Sequence, residues 1–212
     1  MQSELVLSPV HLLGLSGFQV YAAQPHRLVT TLRNPLELYV SGEQYLNRGT
    51  TATLPAATQH IENQMRKSIA LSKKPAGYLH RLVGREVMTT AQMREATVEG
   101  ARNLGKFWLV GVMEQYQGFV SVLRHLLDPA NVHADLWNPH MENRLNASPV
   151  QSSNVLAGLD PDLVQQFNKT LSYQWLVYGR AVSLFTSRCQ EALPWRQHGE
   201  LCDVPRPPVA YA

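Results

Sequence analysis

The stretch LVTTLRNPLELYVSGEQYLNR, residues 28–48, decides the fold class. Its first five residues, Leu28–Leu32, are apolar or β-branched and predict a short buried strand. Asn34 and Pro35 then occupy the N-cap and the first position of a predicted helix, and Glu37 is placed to reach back to the cap as in a capping box. A strand that turns directly into a capped helix is the repeating unit of an α/β domain.

The same alternation of strands and helices continues along the chain. Residues 131–154 are rich in Asn, Pro, Ser and His and predict a long ordered loop. We therefore predict a helix-rich α/β domain with a parallel sheet over residues 1–193, and an extended or disordered tail over 194–212. A doubly wound sheet usually has more than the roughly three strands found here, which indicates a missing N-terminal piece. Besides the elements above, strands are predicted at 18–22 and 107–112, and helices at 58–72, 90–104, 113–127 and 160–192.

Composition narrows the classes of function. The chain has 212 residues, of which 44% are hydrophobic and 17% charged, so it can bury a core and does not have the composition of a disordered protein. Its net charge of +3 is a small surplus and does not suggest nucleic-acid binding. No apolar window has the length of a membrane span, and no His/Cys cluster has metal-ligand spacing. Cys189 and Cys202 could form one C-terminal disulfide.

The turn between the first strand and its helix is the best candidate for chemistry. Arg33 lies at the carboxyl end of a parallel strand and faces a helix N-terminus, where free N–H groups and the helix dipole favour an anion. Ser41 follows about two helical turns later, so the guanidinium and the hydroxyl could bind one phosphate from two directions. The alternative is that Arg33 pairs with Glu37 and that Ser41 is a buried helix hydroxyl.

These residues resemble a known family. The pattern Arg33-x-Pro35-x5-Ser41 after a hydrophobic strand is similar to the 3′-phosphate-binding segment of sulfotransferases that use 3′-phosphoadenosine 5′-phosphosulfate (PAPS), above all the heparan sulfate 2-O- and 6-O-sulfotransferases of the Golgi. The likeness covers roughly residues 10–188, and its motifs occur in the family's order. The further segments that carry it are YLNRG at 45–49, ENQMR at 62–66, and LVGVME at 109–114, which resembles the family's "VGxTE" strand end.

The resemblance implies a P-loop-NTPase-like three-layer fold and a carbohydrate O-sulfotransferase of the Golgi lumen. It implies that PAPS is the co-substrate, without a metal ion, and that an oligosaccharide or polysaccharide is the acceptor. Arg33 and Ser41 would bind the 3′-phosphate, and His11 would take the proton of the sugar hydroxyl. His11 is equally compatible with a capped or core histidine. Further cofactor contacts are predicted in the loop before the last helix, where ordinary solvated residues are the alternative: Arg144, Asn146 and Ser148.

One departure from the family pattern affects the expected activity. The family's 5′-phosphosulfate loop, which carries a lysine for the leaving phosphate, should precede His11, and residues 1–10 do not supply it. We therefore expect either an N-terminally truncated sulfotransferase or an inactive remnant that serves as a binding or interaction module. A third possibility is another P-loop-like enzyme, such as a nucleotide kinase, with Arg33 as a phosphate clamp. Asn168-Lys-Thr170 is a glycosylation sequon that we interpret as a chance match.

Overall fold

The computed structural model describes residues 5–7, 27–72, 75, 77–132 and 150–204. Within these ranges the chain forms three strands, one 3₁₀ turn at Met113–Gln115 and nine α-helices. The strands are β1 (Leu5–Leu7), β2 (Arg27–Leu32) and β3 (Leu109–Val112). The helices are α1 (Pro35–Leu46), α2 (Leu54–Ala70), α3 (Leu79–Val83), α4 (Thr90–Leu104), α5 (Tyr116–Leu127), α6 (Ser152–Gly158), α7 (Pro161–Thr170), α8 (Ser172–Ala192) and α9 (Trp195–Leu201).

The strands form a parallel sheet in the order β1-β2-β3, so β2 is central among them. Leu5 is in register with Arg27, and Leu32 is in register with Val112. The predicted helix-rich α/β class with a parallel sheet is confirmed. The sequence predicted the central strand correctly, but β3 begins two residues later than expected and β1 was not predicted. The strand predicted at 18–22 lies outside the described residues.

Helices α1 and α4 begin where the sequence predicts, and each has a side chain that caps its N-terminus. The side chain of Asn34 caps α1, with its Oδ1 accepting from the backbone N–H of Leu36 at 3.0 Å and of Glu37 at 3.3 Å. Thr89 caps α4 in a capping box with Gln92. These caps were predictable because each depends on residues that are close in sequence.

Several of the helices also differ from the prediction. Helix α2 begins at Leu54 rather than at residue 58, since Pro55 stands in its first turn and starts the helix instead of extending the loop. Residues Ser152–Gly158 form a helix that begins within the predicted loop 131–154 and continues past its end. The single helix predicted over 160–192 is divided at Leu171 into α7 and α8. The prediction of an extended segment from Pro194 onward is wrong over Trp195–Leu201, which form α9.

Helix α8 is the centre of the core. It packs against β3, α4, α5 and α9, while α4 packs on α3 and α2 on α7. Cys189 of α8 and Cys202 at the end of α9 form a disulfide, which confirms the bridge that the sequence allowed. In the described part of the chain, none of the helices is both long and apolar enough to cross a membrane. The largest side chains of the core include Tyr178, Phe167, Phe185, Ile61, Met65 and Leu109.

Candidate functional site

The candidate site lies at the edge of the sheet where β2 and β3 end. The two strands are parallel and adjacent, and their last residues, Leu32 and Val112, are in register. The residues that follow each strand therefore emerge at the same edge: Arg33 and Asn34 after β2, and the 3₁₀ turn with Glu114 after β3. In open α/β sheets this carboxyl edge is where ligands bind.

The guanidinium of Arg33 pairs with a carboxylate of its own chain. Its Nε and Nη2 donate to Oε2 of Glu37 at 3.2 and 3.0 Å. The side chains of Arg33 and Glu37 are 32% and 29% exposed, so solvent screens this ion pair and its contribution to stability is small. The sequence left two alternatives for Arg33, phosphate binding or pairing with Glu37. In this structure Arg33 pairs with Glu37.

Ser41 lies on the same side of α1 as Glu37, because residues four apart in a helix are neighbours on its surface. Its hydroxyl donates to the backbone carbonyl of Leu38 at 3.1 Å and is only partly buried. Glu37 lies four residues from both Arg33 and Ser41 in sequence, and its carboxylate occupies the Arg33 guanidinium. A phosphate bound by both residues would have to displace this carboxylate from the guanidinium.

The N-terminus of α1 is closed by groups from two parts of the chain. The N–H groups of Leu36 and Glu37 donate to Asn34, as described above. The N–H of Asn34 itself donates to Oε1 of Glu114, 80 residues further along, at 2.6 Å. The predicted capping box is therefore wrong in its second half: Glu37 turns to Arg33, and Glu114 accepts the hydrogen bond that Glu37 was expected to accept.

Glu114 also binds the core helix α8. The hydroxyl of Tyr178, a residue that is 1% exposed, donates to Oε2 of Glu114 at 2.7 Å. One carboxylate thus connects the end of β3, the start of α1 and the middle of α8. Burial raises the pKa of Tyr178, and both the charge of Glu114 and the hydrogen bond to it raise that pKa further. The phenol is therefore a neutral, permanent donor at physiological pH.

Tyr78 is a second buried phenol near Glu114. Its hydroxyl donates to the backbone carbonyl of Gln174 at 2.7 Å, one helical turn before Tyr178 in α8. Burial raises its pKa, and the nearby Tyr178 and Glu114 raise it further. In the described structure the Tyr78 hydroxyl thus donates to Gln174, whereas that of Tyr178 donates to Glu114.

The remaining predicted site residues cannot be placed at this edge. His11, Arg144, Asn146 and Ser148 lie outside the described residues. Among the residues that are described, no group of three or more His, Cys, Asp or Glu side chains could hold a metal ion. The sequon residue Asn168 is 9% exposed, and its Oδ1 accepts from the indole N–H of Trp175 at 3.3 Å, which supports the interpretation of the sequon as a chance match.

Sequence reasoning gave no role to Glu114 or Tyr178. Glu114 appeared only as the last residue of a strand-end motif, and Tyr178 only as a position within the helix predicted over 160–192. An acidic residue two positions after a fully buried strand was the available signal for Glu114. Nothing local to Tyr178 distinguishes it from its apolar neighbours.

Two surface depressions lie away from this edge. One of about 550 Å³ lies along α4 and is lined by residues that include Arg94, Glu99 and Lys106. The other, of about 240 Å³, lies between β3 and α8. Neither includes Arg33 or Ser41 in its lining.

No protein-family model, curated protein or solved structure matches this chain. The function is therefore inferred from the chemistry of the sheet edge and from the motif likeness in the sequence.

Proposed function

We propose that this chain is a PAPS-dependent carbohydrate O-sulfotransferase domain of P-loop-NTPase-like architecture, in which Arg33 and Ser41 bind the 3′-phosphate of the nucleotide. The observation that carries the proposal is the position of Arg33. It follows directly after the central strand of a parallel sheet and directly before a capped helix, which is where α/β proteins bind phosphate. The motif Arg33-x-Pro35-x5-Ser41 supports the same assignment.

Phosphate binding requires Arg33 to change its partner. The ion pair with Glu37 is partly exposed, and pairs of this kind contribute only about 0–1 kcal/mol. A guanidinium binds phosphate through charge-assisted bonds that are stronger and often paired, so exchange of Glu37 for phosphate is energetically accessible. The Ser41 hydroxyl, which is partly buried, would turn from the carbonyl of Leu38 to a phosphate oxygen.

The reaction we propose is an in-line transfer. The sugar hydroxyl oxygen attacks the sulfur of PAPS, the bond from sulfur to the bridging phosphate oxygen breaks, and adenosine 3′,5′-bisphosphate leaves. His11, by the family likeness, accepts the proton of the hydroxyl. The Cys189–Cys202 disulfide supports a location in the Golgi lumen, because disulfides persist in oxidising compartments and are rare in the cytosol.

A non-catalytic binding or interaction module is the second candidate, and the same edge of the sheet favours it. The carboxylate of Glu37 already occupies the guanidinium of Arg33, and that of Glu114 occupies the backbone N–H of the next residue, Asn34. The N–H groups at the start of α1 donate to Asn34 and Glu114 instead of facing an open anion site. In this case the sulfotransferase likeness would reflect ancestry alone.

Calorimetry with adenosine 3′,5′-bisphosphate tests the phosphate site. We expect Arg33→Ala to weaken binding by about tenfold or more, because it removes a charge-assisted contact. Glu37→Gln should strengthen binding, since it frees the guanidinium and removes a negative charge. Arg85→Ala is the matched control and should leave the affinity unchanged: Arg85 is similarly exposed and pairs with Glu99 at 3.2 Å on another face.

Equal affinities of the wild type and Arg33→Ala would disprove the phosphate contact. Transfer from labelled PAPS to a heparan-type acceptor distinguishes the two candidates, because the module predicts no transfer even when the nucleotide binds. A parallel incubation with ATP separates a sulfotransferase from a nucleotide kinase.

A further inference from the structure

We infer that Glu114 is a positioning residue which, held by Tyr178, fixes the Arg33–Asn34 turn before any ligand binds. The inference rests on the proposed function in one respect, namely that this turn carries the phosphate-binding arginine. Glu114 itself would not touch the nucleotide. Its role would be to set the backbone from which Arg33 extends.

Both residues that flank Arg33 are bound to one segment of the chain. On one side, Leu32 is paired in register with Val112, the last residue of β3. On the other side, the N–H of Asn34 donates to Glu114, two residues after the end of β3. The backbone of Arg33 is therefore held from both sides by residues 112–114, and only the side chain remains to move between Glu37 and a ligand.

The carboxylate is itself held in place. Its Oε1 accepts from the backbone and its Oε2 from Tyr178, so both oxygens have a partner and the side chain cannot rotate without breaking one of the bonds. Tyr178 is in the core, where its hydroxyl has no access to solvent as an alternative partner. A buried hydroxyl without a partner is costly, which favours the bonded arrangement.

A fixed turn should raise the affinity for phosphate, because less conformational entropy is lost when the ligand binds. A phosphate that meets a guanidinium on a mobile turn must also order that turn, and this cost is subtracted from the affinity. Asn34 is also the N-cap of α1. When Glu114 fixes Asn34, it therefore fixes the start of α1 and the backbone of Arg33 relative to each other. Loss of the Glu114 carboxylate should therefore weaken binding without removing a ligand contact.

Tyr78 provides a matched control for Tyr178. Each phenol is buried and each donates one hydrogen bond of 2.7 Å, but Tyr78 donates to the backbone of α8, whereas Tyr178, a residue of α8, donates to Glu114. Tyr178→Phe and Tyr78→Phe should therefore destabilise the fold to a similar degree. Only Tyr178→Phe should alter the turn.

The first experiment is ligand-free NMR of the full chain. In the wild type we expect the amide proton of Asn34 to resonate far downfield and to exchange slowly with solvent, because it forms a short bond to a carboxylate. In Glu114→Ala the resonance should move upfield and exchange at least about tenfold faster. Glu114→Gln keeps one acceptor oxygen and should be intermediate, and Tyr78→Phe should match the wild type.

The second experiment measures the affinity of the same variants for adenosine 3′,5′-bisphosphate. We expect a loss of about tenfold in Glu114→Ala, partial recovery in Glu114→Gln, a smaller loss in Tyr178→Phe and none in Tyr78→Phe. Thermal unfolding of each variant shows whether the loss of affinity correlates with the change at Asn34 or only with a loss of overall stability. Should Glu114→Ala fail to fold, Glu114→Gln and Tyr178→Phe carry the same comparison.

Two results would overturn the inference: an Asn34 resonance that is unchanged in the Glu114 variants, or equal losses of affinity in Tyr178→Phe and Tyr78→Phe. If the wild type binds no adenosine 3′,5′-bisphosphate, the proposed function fails instead, and the NMR comparison alone decides whether Glu114 positions the turn.

Discussion

At the scale of single residues, three tyrosines have clearly raised pKa values: the buried Tyr78 and Tyr178 and the partly buried Tyr39. Burial raises the pKa of Tyr39 to about 12; the hydrogen bond from Ser68 opposes this effect and the charge of Glu43 adds to it. Burial also raises the pKa of Tyr78 and of Tyr178, and in both the negative charge of Glu114 increases the shift. All three phenols therefore remain protonated far above neutral pH in the folded protein.

This predicts a steep loss of stability at alkaline pH. A tyrosine in the unfolded chain ionises near pH 10, whereas Tyr39 in the folded chain keeps its proton until about pH 12. Between these values the unfolded state binds fewer protons, so the free energy of unfolding falls as the pH rises. Tyr39→Phe should flatten this dependence between about pH 10 and pH 12. The measurement is urea unfolding across that range.

Ultraviolet titration of the phenolates provides the complementary check. Tyr39, Tyr78 and Tyr178 should ionise only well above pH 10 or as the structure is lost. Ionisation of these three phenols near pH 10, with the circular dichroism unchanged, would contradict the burial on which this prediction depends.

The residues at the site show which contacts a sequence can predict. The cap of α1 joins Asn34 to Leu36 and Glu37, and the ion pair joins Arg33 to Glu37, so each was foreseeable from spacing alone. The sequence could not decide which partner Glu37 would take, since the cap and the arginine both lie within its reach. The bond from Asn34 to Glu114 spans 80 residues and depends on the register of β2 and β3. It became visible only in the folded chain.

At the scale of elements, the division of the predicted last helix coincides with local side-chain hydrogen bonds. The apolar stripe continues from α7 into α8, and neither Gly nor Pro marks the boundary at Leu171. Polar side chains near the boundary bond locally instead: the Thr170 hydroxyl donates to the carbonyl of Phe167, and Asn168 accepts from Trp175. Thr and Asn side chains that bond in this way favour helix ends. The apolar periodicity, on which the prediction of a single helix rested, does not take these bonds into account.

The packing of β3 on α5 gives a test at this scale. A Cβ added to Gly111 in β3 would overlap the ring of Phe119 in α5, a buried side chain with little room to move. We expect Gly111→Ala to lower the free energy of unfolding by about 1–3 kcal/mol through overpacking. The matched control is Gly42→Ala in α1, where an added Cβ meets nothing within 4 Å and should stabilise the helix by roughly 0.5–1 kcal/mol.

Urea unfolding of both glycine variants provides the comparison. The opposite signs are the essential result, because the chemical change is the same at each position. If Gly111→Ala were as stable as the wild type, β3 and α5 would not pack as closely as the structure shows.

At the scale of the whole molecule, the C-terminal helix is connected to the site. Helix α9 packs against α5 and α8, and a Cβ on Gly118 of α5 would overlap the backbone carbonyl of Leu201. Gln115, the neighbour of Glu114, donates through its side-chain amide to the backbone carbonyl of Asp203. The packed structure therefore extends beyond the predicted boundary at residue 193. The prolines near residues 194–208 led to the prediction of an extended tail, whereas tertiary contacts stabilise a helix at Trp195–Leu201.

The Cys189–Cys202 disulfide predicts how strongly α9 is attached. The cysteines are 13 residues apart, and closing a loop of this size in the unfolded chain is expected to stabilise the fold by about 3 kcal/mol. The variant with both cysteines changed to serine should lose about this much stability, and reductant should destabilise the wild type equally while leaving the double variant unchanged. Since α9 and Asp203 contact the turn beside Glu114, the amide of Asn34 should also exchange faster in the double variant. Exchange that is unchanged there, despite the lower stability, would show that the disulfide anchors the C-terminal helix without affecting the carboxyl edge of the sheet.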